Sequence, residues 1–184
     1  MNVKGSALRS TMTYMREHFP SKGMEYILGT LTEEDRALVC APIPISGWFD
    51  AAILVRLMLA MTKGTHESAE KLYHRLGRQS CDDGLDVMFR IFVKMRSPAF
   101  LLKHLPEVWH NYYDGGQMVL LGSGRTHAHL RLVGARLDST ALCVRITGWM
   151  ERAVEISGGK EPRVEHSACV HLGQDVCEWR AEWT

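Results

Sequence analysis

The sequence predicts an α+β fold in which N-terminal helices pack on a small antiparallel sheet with β-β-α-β-β order in its C-terminal half. Two observations carry this. Apolar residues recur at helical spacing through about the first 115 residues, whereas the last 70 or so hold two hairpin-like pairs of alternating segments separated by one helix. A length of 184 residues suits one domain, and we expect 1–184 to form it, with a helical part at 1–115 and a sheet part at 116–184.

The helices follow from stripes and caps. Over Ser6 to Phe19, Leu8, Met12, Met15 and Phe19 form one apolar stripe, which Pro20 closes. A short amphipathic turn at Met24 to Leu28 follows, and Thr32 starts a helix whose first turn is acidic, with Glu33 to Asp35 favouring the positive end of the dipole. Pro42, Pro44 and Gly47 mark a loop. Asp50 caps an apolar helix through Met61 that ends at Lys63-Gly64. Ser68 to Met95 reads as helix with a break near Cys81 to Gly84, where Asp82 is placed to cap the second half. Short helices at Phe100 to His104 and Pro106 to Tyr113 lead to Gly115-Gly116, the best internal boundary.

Beyond it, Gln117 to Leu121 and Thr126 to Val133 flank Gly122-Ser123-Gly124, a hairpin signal. Ala128, Leu130 and Leu132 share one face, and His127, His129 and Arg131 share the other, so one side is covered and one is wet. Ser139 caps a helix with an inward stripe of Leu142, Ile146, Trp149, Met150 and Ala153, stopped by Gly158-Gly159. Arg163 to Ala168 and Val176 to Trp183 close the chain as a second strand pair.

Composition excludes several function classes. With 46% hydrophobic residues, 23% charged and a net charge of +1, no global field marks the chain for nucleic acid, and the basic residues are interspersed with acids. The apolar stretch Ala51 to Met61 is too short to cross a bilayer, and Met1 to Thr11 has no secretory pattern, so cytoplasm is the expected compartment. Gly122-Ser123-Gly124 joins two strands and opens no helix, so it lacks the geometry of a phosphate cradle. Cys40 and Cys81 have no matched histidine and acid, which leaves no thiol nucleophile to name. His127 and His129 share a face but read as solvated strand residues.

One constellation remains. Cys143, twenty-two residues, His166, two residues, Cys169, seven residues, Cys177 is a ligand-like order. Strand parity turns Cys177 and His166 inward and sends Glu165 to solvent. Cys169 has the wrong parity to join His166 and needs a bulge or a turn to re-aim it. Cys143 lies in the first turn of the Ser139 helix. Four such donors suit a closed tetrahedral structural zinc site, the cofactor expected here, and a fourth protein ligand leaves no open catalytic position. Buried structural thiols, and a Cys169 to Cys177 disulfide across the hairpin, are the competing readings; a reducing compartment disfavours the disulfide.

This spacing, with the ending CVHLGQDVCEWRAEW, resembles the ligand-binding superfamily shared by vinyl-reductase-type small-molecule-binding domains, the sensor domains of XylR-type aromatic-responsive activators, haem NO-binding domains and TRAPP trafficking subunits. The segment RSPAFLLKHLPEVWHNYYDGGQM also looks like an uncharacterised bacterial paralogous family of that fold. The aromatic sensors have the same cysteine spacing with Glu where this chain has His166. Haem-binding members carry a Tyr-x-Ser-x-Arg motif that this chain lacks, so the resemblance does not imply haem. It does imply a non-enzymatic sensor or binding domain for an apolar or aromatic small molecule or lipid, reporting through a protein partner or a homodimer. By that analogy Phe89, Phe92, Trp109, Tyr112 and Tyr113 line the ligand pocket. The alternative is an interaction or scaffold module whose core is filled by side chains.

Overall fold

The computed structural model describes residues 1–84, 97–135, 137 and 139–184. Eight α-helices and two antiparallel sheets are found among them, the α+β class predicted. Helices α1 (Gly5–His18), α2 (Ser21–Gly29), α3 (Glu33–Cys40), α4 (Ala51–Thr62) and α5 (Ala69–Asp83) come first, then α6 (Pro98–Lys103) and α7 (Leu105–Trp109). Thr32, Asp50 and Ser68 start helices as expected, and Ser97, not anticipated, starts another. Thr32, Asp50, Ser68 and Ser97 each accept a backbone N–H of the first turn they precede, satisfying donors that have no partner inside the helix.

One small sheet departs from the sequence reading. Strands β1 (Asn2–Lys4) and β2 (Trp48–Asp50) form a two-stranded sheet inside the part expected to be all helical. Three residues are too few to show a period of two, and their partners lie far apart in sequence, so no local signal marks them. The break expected near Cys81 to Gly84 is present: α5 ends at Asp83 with Gly84 as its cap, and Asp82, inside α5, accepts from Arg152 Nε at 2.7 Å. The helix it was expected to cap falls on 85–96, outside the described residues.

The second sheet has strand order β3-β4-β6-β5, with β3 (Gln117–Ser123), β4 (His127–Val133), β5 (Arg163–Ala168) and β6 (Cys177–Glu182), all antiparallel. Helix α8 (Thr140–Ile156) connects the two hairpins, capped by Ser139. The predicted alternation holds on β4, where Ala128, Leu130 and Leu132 are buried. On β6 it fails at one position: Glu178 is buried on the face expected to be wet, because it takes Arg131 Nε and pairs with His129, both at 2.7 Å, across the strands. Against α8 lies Trp179, fully buried, whose indole N–H donates to Thr147 Oγ1 at 3.1 Å.

Helix α8 is also clamped to α5. Gly77 of α5 faces the Arg145 carbonyl, and Gly148 of α8 faces the His74 carbonyl, so each helix meets the other's backbone where a side chain is missing. Ion pairs border this contact: Arg78 donates to Glu155 at 2.6 and 3.0 Å, and His74 lies 2.7 Å from Glu151. Arg78 holds the Glu155 carboxyl below its usual value, aided by Arg152 and opposed by burial. Among the described residues no helix is long and apolar enough to cross a membrane.

Candidate functional site

The four predicted ligand residues come together. Cys143 Sγ, Cys169 Sγ, Cys177 Sγ and a ring nitrogen of His166 lie within 4.8 Å of one another. Each is placed by a local device. Cys143 is in the first turn of α8, where its Sγ can donate to the Ser139 carbonyl at 3.8 Å. His166 stacks on Trp179 with ring centroids 4.7 Å apart, and its Nε2 is buried without a hydrogen-bond partner. The irregularity required of Cys169 is present. The β5 to β6 register shifts between His166 and Ala168, and a 3₁₀ turn at Val170–Leu172 begins directly after Cys169. Gly173, at φ +90°, closes that turn in a conformation suited to glycine, and Gln174 Oε1 accepts the Cys169 N–H at 3.0 Å.

Burial pushes the Cys143 thiol well up, with Cys177 and Cys169 adding to the rise, and burial also raises Cys177. Burial lowers His166, with His171 contributing, which favours the neutral imidazole. Three thiols and an imidazole facing one point are a donor set for a thiophilic ion.

A second feature lies at the junction of α1, α5, α7, α8 and β3. An inner chamber of about 40 Å³ is lined by Ala7, Ser80, Trp109, Tyr112, Tyr113, Arg145, Ile146 and Trp149, with Leu105, Val108, Met118 and Met150 completing it. Three predicted ligand residues, Trp109, Tyr112 and Tyr113, therefore share a wall. Phe89 and Phe92, expected beside them, lie outside the described residues. The aromatic rings pack on one another in pairs: Trp109 stacks on Tyr113 at 4.3 Å, and Tyr112 meets Trp149 edge-on at 6.1 Å. Trp109 Nε1 donates to the Gly115 carbonyl at 3.0 Å, which fixes its ring.

Next to the chamber is a polar cleft of about 450 Å³ bounded by α1, the Ile45-Ser46 loop, the end of α5 and Asn111-Tyr112. Ser80 and Tyr112 line both spaces.

The sequence reading missed Arg145. It is 3% exposed, and Nη1 donates to Thr11 Oγ1 at 3.1 Å while Nη2 donates to the Ala7 carbonyl at 3.3 Å. A signal existed: Arg145 falls in phase with Leu142 and Trp149 on the inward stripe of α8, where a charged residue is out of place.

No protein-family model and no curated protein matches the chain. Solved structures do match in fold. An Fe(II) unliganded H-NOX protein from K. algicida aligns with a TM-score of 0.75 at 13% identity, covering 98% of this chain and 96% of that one. An H-NOX protein from S. oneidensis in the Fe(II)NO state aligns at 0.75 and 14% identity, covering 98% and 99%. A third, from work on heme distortion in the H-NOX family, aligns at 0.73 and 13%, covering 98% and 95%. Identities this low establish the fold alone.

These neighbours overturn the expectation of zinc as the cofactor. The groups named for them are Fe(II) and heme, and none is described with zinc. The physical reason the sequence misled is that a cluster of thiols and an imidazole defines donor softness and geometry without specifying which metal, if any, the chain carries.

Proposed function

We propose that this chain is a small-molecule-binding domain of the sensor type, with the ligand taken up at the helix–sheet junction through the polar cleft. The observation that carries this reading is that the two spaces adjoin at Ser80 and Tyr112, which line both. A cleft of about 450 Å³ is within the roughly 300 to 1,000 Å³ typical of ligand sites, and the aromatic chamber behind it supplies an apolar floor. Residues 1–184 act as one unit in this reading, since α8 forms the chamber wall and also carries Cys143. Occupancy would be reported to a second copy or a protein partner, with exposed Ile45 and Trp48 near the cleft as a surface that changes with it. The expected setting is the cytoplasm.

Haem, the group named for the structural neighbours, does not fit the described residues. The inner chamber of about 40 Å³ is far below the roughly 300 Å³ at which ligand sites begin. Neither the chamber nor the cleft is lined by any of the nine histidines or five cysteines, and the segment 85–96 contains neither residue type.

The second part of the proposal is that Cys143, His166, Cys169 and Cys177 bind a thiophilic metal ion whose identity is left to measurement. The support is the convergence of four donors from α8, β5, the turn after it and β6, together with the buried, unpartnered Nε2 of His166. Such an ion would join helix to sheet.

A second reading has one observation in its favour. The inner chamber is small enough for the junction to count as a filled core, as an interaction or scaffold module requires. Ligand screening by tryptophan fluorescence separates the two, because Trp109 and Trp149 line the chamber. Binders should shift the emission of the wild-type protein and lose their effect in Ser80→Leu, which puts a larger side chain where the two spaces adjoin. Hits that bind Ser80→Leu equally well would place the site elsewhere, and a screen with no hits would favour the filled core.

A further inference from the structure

We infer that the ligand of this site is a small carboxylate whose head group is held by Arg145. The inference rests on the ligand-binding reading above and adds the chemical class.

The argument begins with charge. The other arginines with substantial burial have carboxylate partners: Arg78 on Glu155, Arg152 on Asp82 and Glu155, and Arg131 on Glu178. Even Arg56, nearly half exposed, holds Asp35 by two hydrogen bonds. Arg145 is the most enclosed of these and has no carboxylate partner among the described residues; its two bonds go to a hydroxyl and a backbone carbonyl. A buried cation hydrogen-bonded only to neutral acceptors, with Asp83 acting on it from beyond ion-pair distance, is under-compensated, and two of its five N–H donors are used.

Shape and surroundings point the same way. Arg145 lines a chamber whose other walls are mainly aromatic and aliphatic, so an anion entering it is desolvated against a planar donor fork suited to carboxylate. The volume of about 40 Å³ is room for two or three waters, the size of a carboxylate head, by the roughly 10 to 15 Å³ that each needs. The body of the ligand then occupies the cleft. That cleft presents Lys4 and Arg9 against a single acid, Asp83, among its described lining residues, a positive balance that favours anions. It also contains Ser10, which is 3% exposed and whose hydroxyl has no partner, a second polar group awaiting an acceptor or donor from outside the chain.

The test is isothermal titration of the purified full chain with acetate, hexanoate and benzoate, each beside its neutral counterpart, ethanol, hexanol and benzyl alcohol. At least one carboxylate should bind about tenfold or more tightly than its alcohol. Arg145→Gln should remove that preference, and Arg145→Lys should retain part of it because charge remains without the fork. Should Arg145→Gln fail to fold, the Arg145→Lys comparison and Arg9→Gln, at an exposed position, still read the preference; Arg9→Gln should weaken carboxylate binding about twofold and make it less salt-sensitive. Equal binding of acid and alcohol overturns the inference, as does a preference unchanged in Arg145→Lys and Arg9→Gln. Binding of alcohols alone overturns it while leaving the ligand-binding reading intact. Binding of neither class at millimolar concentration overturns both.

Discussion

Gly77→Ala is the sharpest test of how α5 and α8 hold the site together. A Cβ at Gly77 would overlap the backbone carbonyl oxygen of Arg145, with the backbone nitrogen of Trp149 also in the way. Backbone atoms cannot rotate aside, so the two helices must separate by about 1 Å in a region packed at crystal-like density. Overpacking of this kind costs about 1–3 kcal/mol. Alanine returns up to about 1 kcal/mol through its higher helix propensity. The overlap is with rigid backbone, which puts the cost at the upper end of that range, so the net loss is about 2 kcal/mol, and for a chain of this size Tm falls by about 4–8 °C. Gly29→Ala is the matched control, since α2 ends there with open space around the added methyl, and it should raise stability by up to about 1 kcal/mol. Differential scanning fluorimetry reads both. A Gly77→Ala protein as stable as the wild type would refute the close backbone contact and the placement of Arg145 that depends on it.

Three further outcomes are expected. Cys177→Ser should lower Tm by at least about 3 °C, since it puts a hydroxyl in a buried thiol cluster at a cost of about 1–3 kcal/mol, and a chelator should lower the wild-type Tm while leaving the variant unmoved; a wild-type melt indifferent to chelator counts against the metal ligands. Thr147→Val strands the buried Trp179 indole N–H and should destabilise by about 1–3 kcal/mol in urea unfolding, with no loss indicating another acceptor. Acid should weaken the α5 to α8 clamp: Arg78, then Arg152, holds the folded Glu155 carboxyl below its usual 4.5, so its contribution is full above that pH and is lost as pH falls through the lower folded value. The Tm gap between wild type and Glu155→Gln should therefore be constant above about pH 5 and close below pH 4.5; a gap that widens in acid has the wrong sign.

Much of the fold was legible because its signals are local. Thr32, Asp50, Ser68 and Ser139 announce their helices through cap hydrogen bonds made within three residues, and the β4 alternation needs only the one strand. The convergence of Cys143, His166, Cys169 and Cys177 was legible for the same reason, including the need for an irregularity before Cys169, since parity along β5 is countable from the sequence. What escaped depends on long-range partners. Strand β1 exists because Asn2 to Lys4 meets Trp48 to Asp50, and Glu178 is buried because His129 and Arg131 reach it from the neighbouring strand. Arg145 was visible as a charge on an apolar stripe, but its meaning depends on α1 supplying Thr11 and Ala7 as neutral acceptors. The identity of a metal was never in the spacing, which encodes donors alone.

Native mass spectrometry of the purified chain, recorded before and after denaturation, bears most directly on small-molecule binding at the junction. The account predicts a non-covalent organic mass, acidic in character, that is lost on denaturation and missing from Ser80→Leu. A spectrum showing only the chain in both states, with no small molecule restoring an added mass at millimolar concentration, would contradict it and leave the junction as a filled core.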